Sequence, residues 1–177
     1  MCKIIVMANQ KGGVAKTSST RNLAYSLAEL GKKVLAVDFD PQTNLTISFG
    51  VAPAVLQETA ASLMMKLVMD EALPEKESYI LNIGKVDLLP SKKTLTVAEV
   101  NLLIERKDDC LAKLLAPLRA DYDYILVDTG PSLGSLTINA FTAADEIIIP
   151  IDPELFALVG LKELTETISK IKQNLNP

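Results

Sequence analysis

The stretch "NQKGGVAKTSS", Asn9 to Ser19, lies between a short apolar run and a segment of helical periodicity. Strand, Gly-containing loop and helix, in that order, is the setting in which a phosphate-binding loop works. Unpaired N–H groups at the helix start, together with the helix dipole, hold phosphate oxygens. Gly12 and Gly13 let the main chain approach a ligand closely. With Lys16-Thr17 as the final pair of G-x-x-x-x-G-K-[ST], however, Gln10 and Ala15 stand at the glycine positions, and an extra lysine, Lys11, precedes the glycines. The stretch therefore reads as a damaged loop, as a lysine-bearing turn that caps a helix, or as a loop of a different kind. In the third reading Lys16 meets the terminal phosphates and the Thr17 hydroxyl is placed to ligate magnesium. Ala15 is expected at negative φ, adding only a methyl group, because a left-handed backbone there would cost about 1–2 kcal/mol.

Two stretches further along decide against the capping turn. "VDFDPQ", Val37 to Gln42, puts Asp38 and Asp40 at the end of an apolar run, where the ligand crevice of a doubly wound sheet lies. By itself the Asp-Pro pair would read as a strand-ending turn. "YILVDT", Tyr124 to Thr129, is an apolar strand ending in Asp128, a carboxylate able to accept from a magnesium-ligated water or from Thr17.

The surrounding chain supplies the fold class. Runs at 4–6, 34–37, 124–127 and 147–149 are nearly continuous in apolar residues, as in strands covered on both faces of a parallel sheet, and 86–89 is a weaker fifth. Helical spacing marks 16–30 through Leu23, Leu27 and Leu30 with Gly31 as cap, and also 94–118, 133–143 and 154–173, the last through Leu158, Leu161, Leu164, Ile168 and Ile171. In the less legible 51–85 stretch, 59–69 reads as a helix whose Met cluster packs in the core. Alternation of this kind predicts an α/β fold: a doubly wound, mostly parallel β-sheet flanked by helices. No repeat or linker interrupts it, so residues 1–177 are read as a single domain.

Composition narrows the chemistry. With no histidine among 177 residues, His-based catalysis and His-ligated metals are excluded, and Cys2 and Cys110 form neither a disulfide framework nor a metal cluster. A net charge of -4 argues against a generally basic nucleic-acid-binding surface. No run reaches the roughly 18 apolar residues of a membrane span, and no secretion signal opens the chain, so a cytoplasmic protein is expected.

At these residues the sequence resembles the ParA/Soj/MinD family of P-loop ATPases with a deviant Walker A motif. "KGGVAKTS" is similar to that family's K-G-G-x-x-K-[TS]-[TS], "VDFDPQTN" to its D-x-D-P-Q-x-N, and "YDYILVDTGPSLG" to its Walker B and switch II; "IIIPIDPELFALVGL" is similar to the stretch after its next strand. "ANQKGG" and "DPQ" fit the ParA/Soj branch. The resemblance implies a P-loop NTPase fold and nucleotide binding through Lys11, Gly12, Gly13, Val14, Ala15, Lys16, Thr17 and Ser18. It makes Lys11, Lys16 and Asp40 catalytic: Lys11 reaching across an ATP-sandwich dimer, Lys16 on the β- and γ-phosphates, Asp40 orienting the attacking water. Thr17 would bind Mg2+, supported through water by Asp128 and by Asp38 or Asp40. Gly12 would lie at the dimer contact.

The implied function is an ATP-dependent switch of the DNA-partitioning type, homodimeric with ATP and slow until stimulated by a ParB-like partner carrying a basic N-terminal arm, in the cytoplasm or on the nucleoid. Gly130, where many relatives have proline, is expected to loosen switch II. Relative to the family the chain reads as truncated at its C-terminus. The missing part would carry adenine contacts and the basic residues for non-specific DNA binding. Alternatives are a non-catalytic nucleotide-binding or dimerisation module and a MinD-like positioning ATPase, although "KELTETISKIKQNLNP" lacks the character of a membrane-binding helix and no membrane partner is expected. An iron protein of the nitrogenase type would need bridging cysteines that Cys2 and Cys110 do not provide.

Overall fold

Apolar strands in a parallel sheet need cover on both faces, and the chain supplies it from two sets of helices. The structure, a computed structural model, describes residues 1–152 and 157–176. Its strands are β1 (Lys3–Met7), β2 (Val34–Phe39), β3 (Leu81–Ile83), β4 (Val86–Leu89), β5 (Tyr124–Thr129) and β6 (Glu146–Ile148), ordered β3-β4-β2-β5-β1-β6 in one six-stranded sheet. All pairings are parallel except β3 with β4. The helices are α1 (Lys16–Glu29), α2 (Asn44–Ser48), α3 (Ala60–Val68), α4 (Leu95–Glu105), α5 (Cys110–Leu115), α6 (Ser135–Ala143) and α7 (Ala157–Asn174).

Alternate strand residues face opposite ways. Ile5, Val34, Ala36 and Leu126 pack with Ala24 and Ala28 of α1 and with Leu45 and Phe49 around α2. Ile4, Val6, Leu35, Val37, Ile125 and Val127 face a larger core built from α3 to α7. The expected doubly wound α/β fold is therefore present. Met64 is fully buried in that larger core, as the reading of the Met cluster requires.

Four local expectations change. The inner stripe of α1 is Lys16, Thr20, Ala24 and Ala28, while Leu30 is exposed. The small residues Thr20, Ala24 and Ala28 let the helix lie close to the sheet. The predicted helix over 94–118 is two helices, broken where Arg106 takes φ 52. There Lys107 Nζ turns back to accepting carbonyls of Leu67 and Val68 at the end of α3, a tertiary tie that overrides helical propensity. Strand β3 is an addition, joined to β4 through a two-residue turn in which Gly84 takes φ +70. Strand β6 is not covered on both faces, and Ile148 is 39% exposed. Of the helix predicted over 154–173, positions 154–156 and the Leu158 side chain lie outside the described residues, as does part of "IIIPIDPELFALVGL".

The end of the sheet where β1 and β6 begin is held by polar contacts. Arg119 donates two hydrogen bonds to Asp145, at 2.9 and 3.0 Å, and one to Cys2 O, while Asp145 also accepts from Ile4 N at 2.7 Å. Burial alone would raise the Asp145 pKa, but the Arg119 guanidinium and the Ile4 N–H hold it below its ordinary value.

Candidate functional site

At the opposite end of the sheet, register places Met7 beside Asp128 and Asp38 beside Asp128, so the chain leaving β1 begins next to two carboxylates. The loop that follows is organised by Asn9. Its amide donates to Pro150 O at 2.7 Å and its Oδ1 accepts from Lys11 N at 2.9 Å, the side-chain-to-backbone bond that Asn makes readily two residues on. Lys16 Nζ then spans the loop from within, donating to Asn9 O at 2.9 Å and Lys11 O at 3.2 Å. Burial lowers the Lys16 pKa, opposed by Asp128 and Asp40.

Ala15 is not at negative φ. It takes φ 64 and ψ 25, the left-handed conformation, and its carbonyl accepts from Ser19 N in the first turn of α1. The strain held in reserve as an unneeded cost is present, because the loop must turn from Gly13, itself at φ +78, directly into the helix. A second non-glycine residue, Thr43, buried between the cleft-lining Gln42 and Asn44, takes φ 59 before α2. Such backbone strain tends to gather at functional sites.

Thr17 Oγ1 donates to Asp128 Oδ2 at 2.6 Å, and Thr20 Oγ1 stands 3.4 Å from Asp128 Oδ1. Burial pushes the Asp128 carboxyl up to about 7; the Thr17 hydroxyl opposes this, and Asp38 and Asp40 add to it. Asp38 is also completely buried and raised to about 6 by burial, against hydrogen bonds from Thr46 N, Thr46 Oγ1 and Asp40 N. With its oxygens committed to those donors, Asp38 anchors the loop 40–46. Asp40 instead lines the cleft; its Oδ1 accepts from Gln42 N at 2.9 Å, and Oδ2 accepts from none of the described residues.

The cleft, about 470 Å³, brings together Gly12, Gly13, Ala15, Lys16, Thr17, Ser18 and Asp40, with Gln42, Asn44, Thr129 and Pro131. Val14 is only 8% exposed and lies outside this lining. Lys11 also lies outside it, with Nζ 3.5 Å from Asp152 Oδ2. At Gly12 and Gly13 an added Cβ would meet nothing within 4 Å. Gly130, expected to loosen its loop, has another use: a Cβ there would sit 3.2 Å from Asp40 Oδ1, so its bareness makes room for that carboxylate.

Among the described residues no three His, Cys, Asp or Glu side chains gather as a metal cluster. A cation here would draw on Thr17, on Asp128 through water, and on oxygens of a ligand, which suits magnesium, a metal that keeps its waters and takes few protein ligands. A larger hollow of about 550 Å³, at the far end of the sheet, has Lys76 and Lys85 committed to Asp121 and Glu29. Its size is not accompanied by comparable chemistry. No helix among the described residues is long and apolar enough to cross a membrane.

Asn9 and Thr20 escaped the sequence reading although signals existed: an Asx-type spacing to Lys11, and a hydroxyl one helical turn after Lys16. Gln42 lay inside a quoted motif without receiving a role.

The sequence and the fold are similar to those of known proteins. A family model described as "AAA domain" matches residues 2–177. Over 178 residues the chain is 43% identical to an uncharacterized protein of Pseudomonas putida, covering 100% of this chain and 66% of that protein. Over 177 residues it is 38% identical to the sporulation initiation inhibitor protein Soj of Bacillus subtilis, covering 99% of this chain and 68% of Soj. Among solved structures, cobyrinic acid a,c-diamide synthase from Mycobacterium smegmatis with bound ADP and magnesium superposes with a TM-score of 0.91 at 36% identity, covering 100% of this chain and 71% of that one. The chain thus spans about two thirds of the length of these relatives.

Proposed function

The chain belongs to the ParA/Soj family of P-loop ATPases, and from that premise we propose that it is an ATP-dependent switch of the DNA-partitioning type. It binds Mg-ATP in the cleft, pairs with a second copy around the nucleotide, and hydrolyses ATP slowly until a ParB-like protein with a basic arm stimulates it. The observation that carries this reading is the convergence of Lys16, the Thr17–Asp128 pair and Asp40 on one glycine-floored cleft.

Lys16 holds two loop carbonyls from inside; a phosphate tail lying over the loop offers its ammonium a stronger, charged acceptor. N–H groups at the start of α1 meet the phosphate oxygens. Magnesium, when bound, neutralises charge on the phosphates. Thr17 would supply it a hydroxyl oxygen, and Asp128, which accepts from that hydroxyl here, would then accept from a metal-held water. Asp40 uses Oδ2 to orient the water that attacks the terminal phosphorus as the bond to the bridging oxygen of ADP breaks. At Gly12 an added Cβ would meet nothing within 4 Å among the described residues, which leaves its surface open to a ligand or a second copy. Lys11, at the rim beside Asp152, is the lysine offered to that second copy.

Titration calorimetry, gel filtration and phosphate release on wild type, Lys16→Ala and Asp40→Ala test the reading. Wild type should bind ATP with magnesium, elute as a dimer with it and release phosphate. Lys16→Ala should lose binding at least a hundredfold, about 3 kcal/mol. Asp40→Ala should bind and dimerise without turnover. A wild type that binds no ATP, or an Asp40→Ala variant that turns over at the wild-type rate, overturns it.

A further inference from the structure

The loop 130–134, between β5 and α6, begins and ends in glycine, and a carboxylate from elsewhere in the fold lies over each. Asp40 lies over Gly130, as described. Over Gly134 lies Glu99, a half-buried residue of α4: a Cβ at Gly134 would overlap Glu99 Oε1. Gly134 is the residue before α6 and brings no side-chain cap of its own. The Glu99 carboxylate therefore stands at the positive end of that helix, where a negative charge is favourable. Thr137 Oγ1, in the first turn of α6, donates back to Ser132 O at 2.5 Å, which ties the loop to the helix start.

Between the two carboxylates is a cavity of about 230 Å³, lined by Asp40, Glu99, Gly130, Pro131 and Ser132 among others. Asp40 and Pro131 line both this cavity and the larger cleft. Glu99 does not reach the cleft; it touches the loop whose far end bears on Asp40.

We propose that Glu99 is a positioning residue for hydrolysis: seated over Gly134, its carboxylate fixes the loop 130–134 and so sets where Gly130 and Pro131 meet Asp40. This rests on the reading of the cleft as an ATPase site. Small displacements of the group that orients a nucleophile cost rate rather than affinity. Loss of Glu99 therefore lowers kcat and leaves the KM for ATP nearly unchanged.

Gly134→Ala supplies a clean probe. The new methyl collides with the end of a flexible side chain, which swings away at little cost to folding and abandons its seat. Glu99→Ala and Gly134→Ala should each lower kcat roughly tenfold with KM within about twofold. The double variant should be no slower than either single one, because both remove the same contact. In the nucleotide-free protein, amide exchange over 130–136 should accelerate in both variants, with α1 unchanged. Wild type that hydrolyses nothing while exchange still accelerates in both variants overturns the ATPase reading and keeps the seating. Unchanged exchange, or losses that multiply in the double variant, overturns the seating.

Discussion

At one end of the sheet Asp145 is answered by a two-pronged guanidinium and a main-chain N–H; at the other, Asp38 and Asp128 stand side by side on neighbouring strands, buried, without an ion pair among the described residues. The first carboxyl is easier to ionise than usual, and the other two are harder. The backbone follows the same division. Of the four described non-glycine residues at positive φ, Ala15 and Thr43 border the cleft while Asp70 and Arg106 lie at helix ends away from it, and the clamp around Asp145 joins residues 2, 4, 119 and 145 through ordinary hydrogen bonds. One end is finished as it stands, and the other holds charge and strain that a cation and an anionic ligand would relieve.

The sharpest way to break this contrast is Asp128→Asn. A carboxyl whose pKa is higher folded, about 7, than unfolded, 3.8, opposes folding increasingly as the pH rises above 3.8 and fully above about 7. At pH 8, without magnesium or nucleotide, the variant should be more stable on the order of 4 kcal/mol in urea melts, while losing the magnesium dependence of ATP binding. A less stable variant would show that Asp128 is a structural group like Asp145.

Asp145→Asn tests the other end with opposite sign. Because the folded pKa lies below the unfolded one, the contribution is present above about pH 4 and lost as the pH falls through the folded value. With the pair more than a third exposed, screening limits the cost to about 1 kcal/mol at pH 7. Urea melts of variant and wild type should converge as the pH falls through the folded value; a constant gap would place the effect in packing instead. The smallest expected change is from Ala15→Gly. Relief of the left-handed backbone is offset by the greater freedom of glycine when unfolded, leaving a gain of about 0.5 kcal/mol in the same melts. A loss there would mean that the Ala15 methyl makes a contact worth more than its strain.

What could be read from sequence divides along a related line. Lys16, Thr17 and Asp128 were legible because the loop, the helix start and the strand end each carry their chemistry within a few consecutive residues. The strand runs declared themselves through unbroken apolar character. The conformation of Ala15 did not, since one letter does not reveal the angle that the chain on either side imposes. Nor did the break near Arg106, which depends on Lys107 reaching the end of α3, or the seating of Glu99 on Gly134, a contact between segments far apart in the chain. Local chemistry writes a motif; contacts across the fold do not.

The strand order has a consequence in time. The partners of β1 are β5 and β6, so the first strand synthesised stays unpaired until more than 120 further residues have followed it. At about 5–20 residues per second this is on the order of 6–25 s during which an apolar segment waits without an edge to join. The carboxylate that Thr17 needs arrives with β5, the same strand that gives β1 its first partner, so the pairing of the first strand and the Thr17–Asp128 contact become possible in one step of translation.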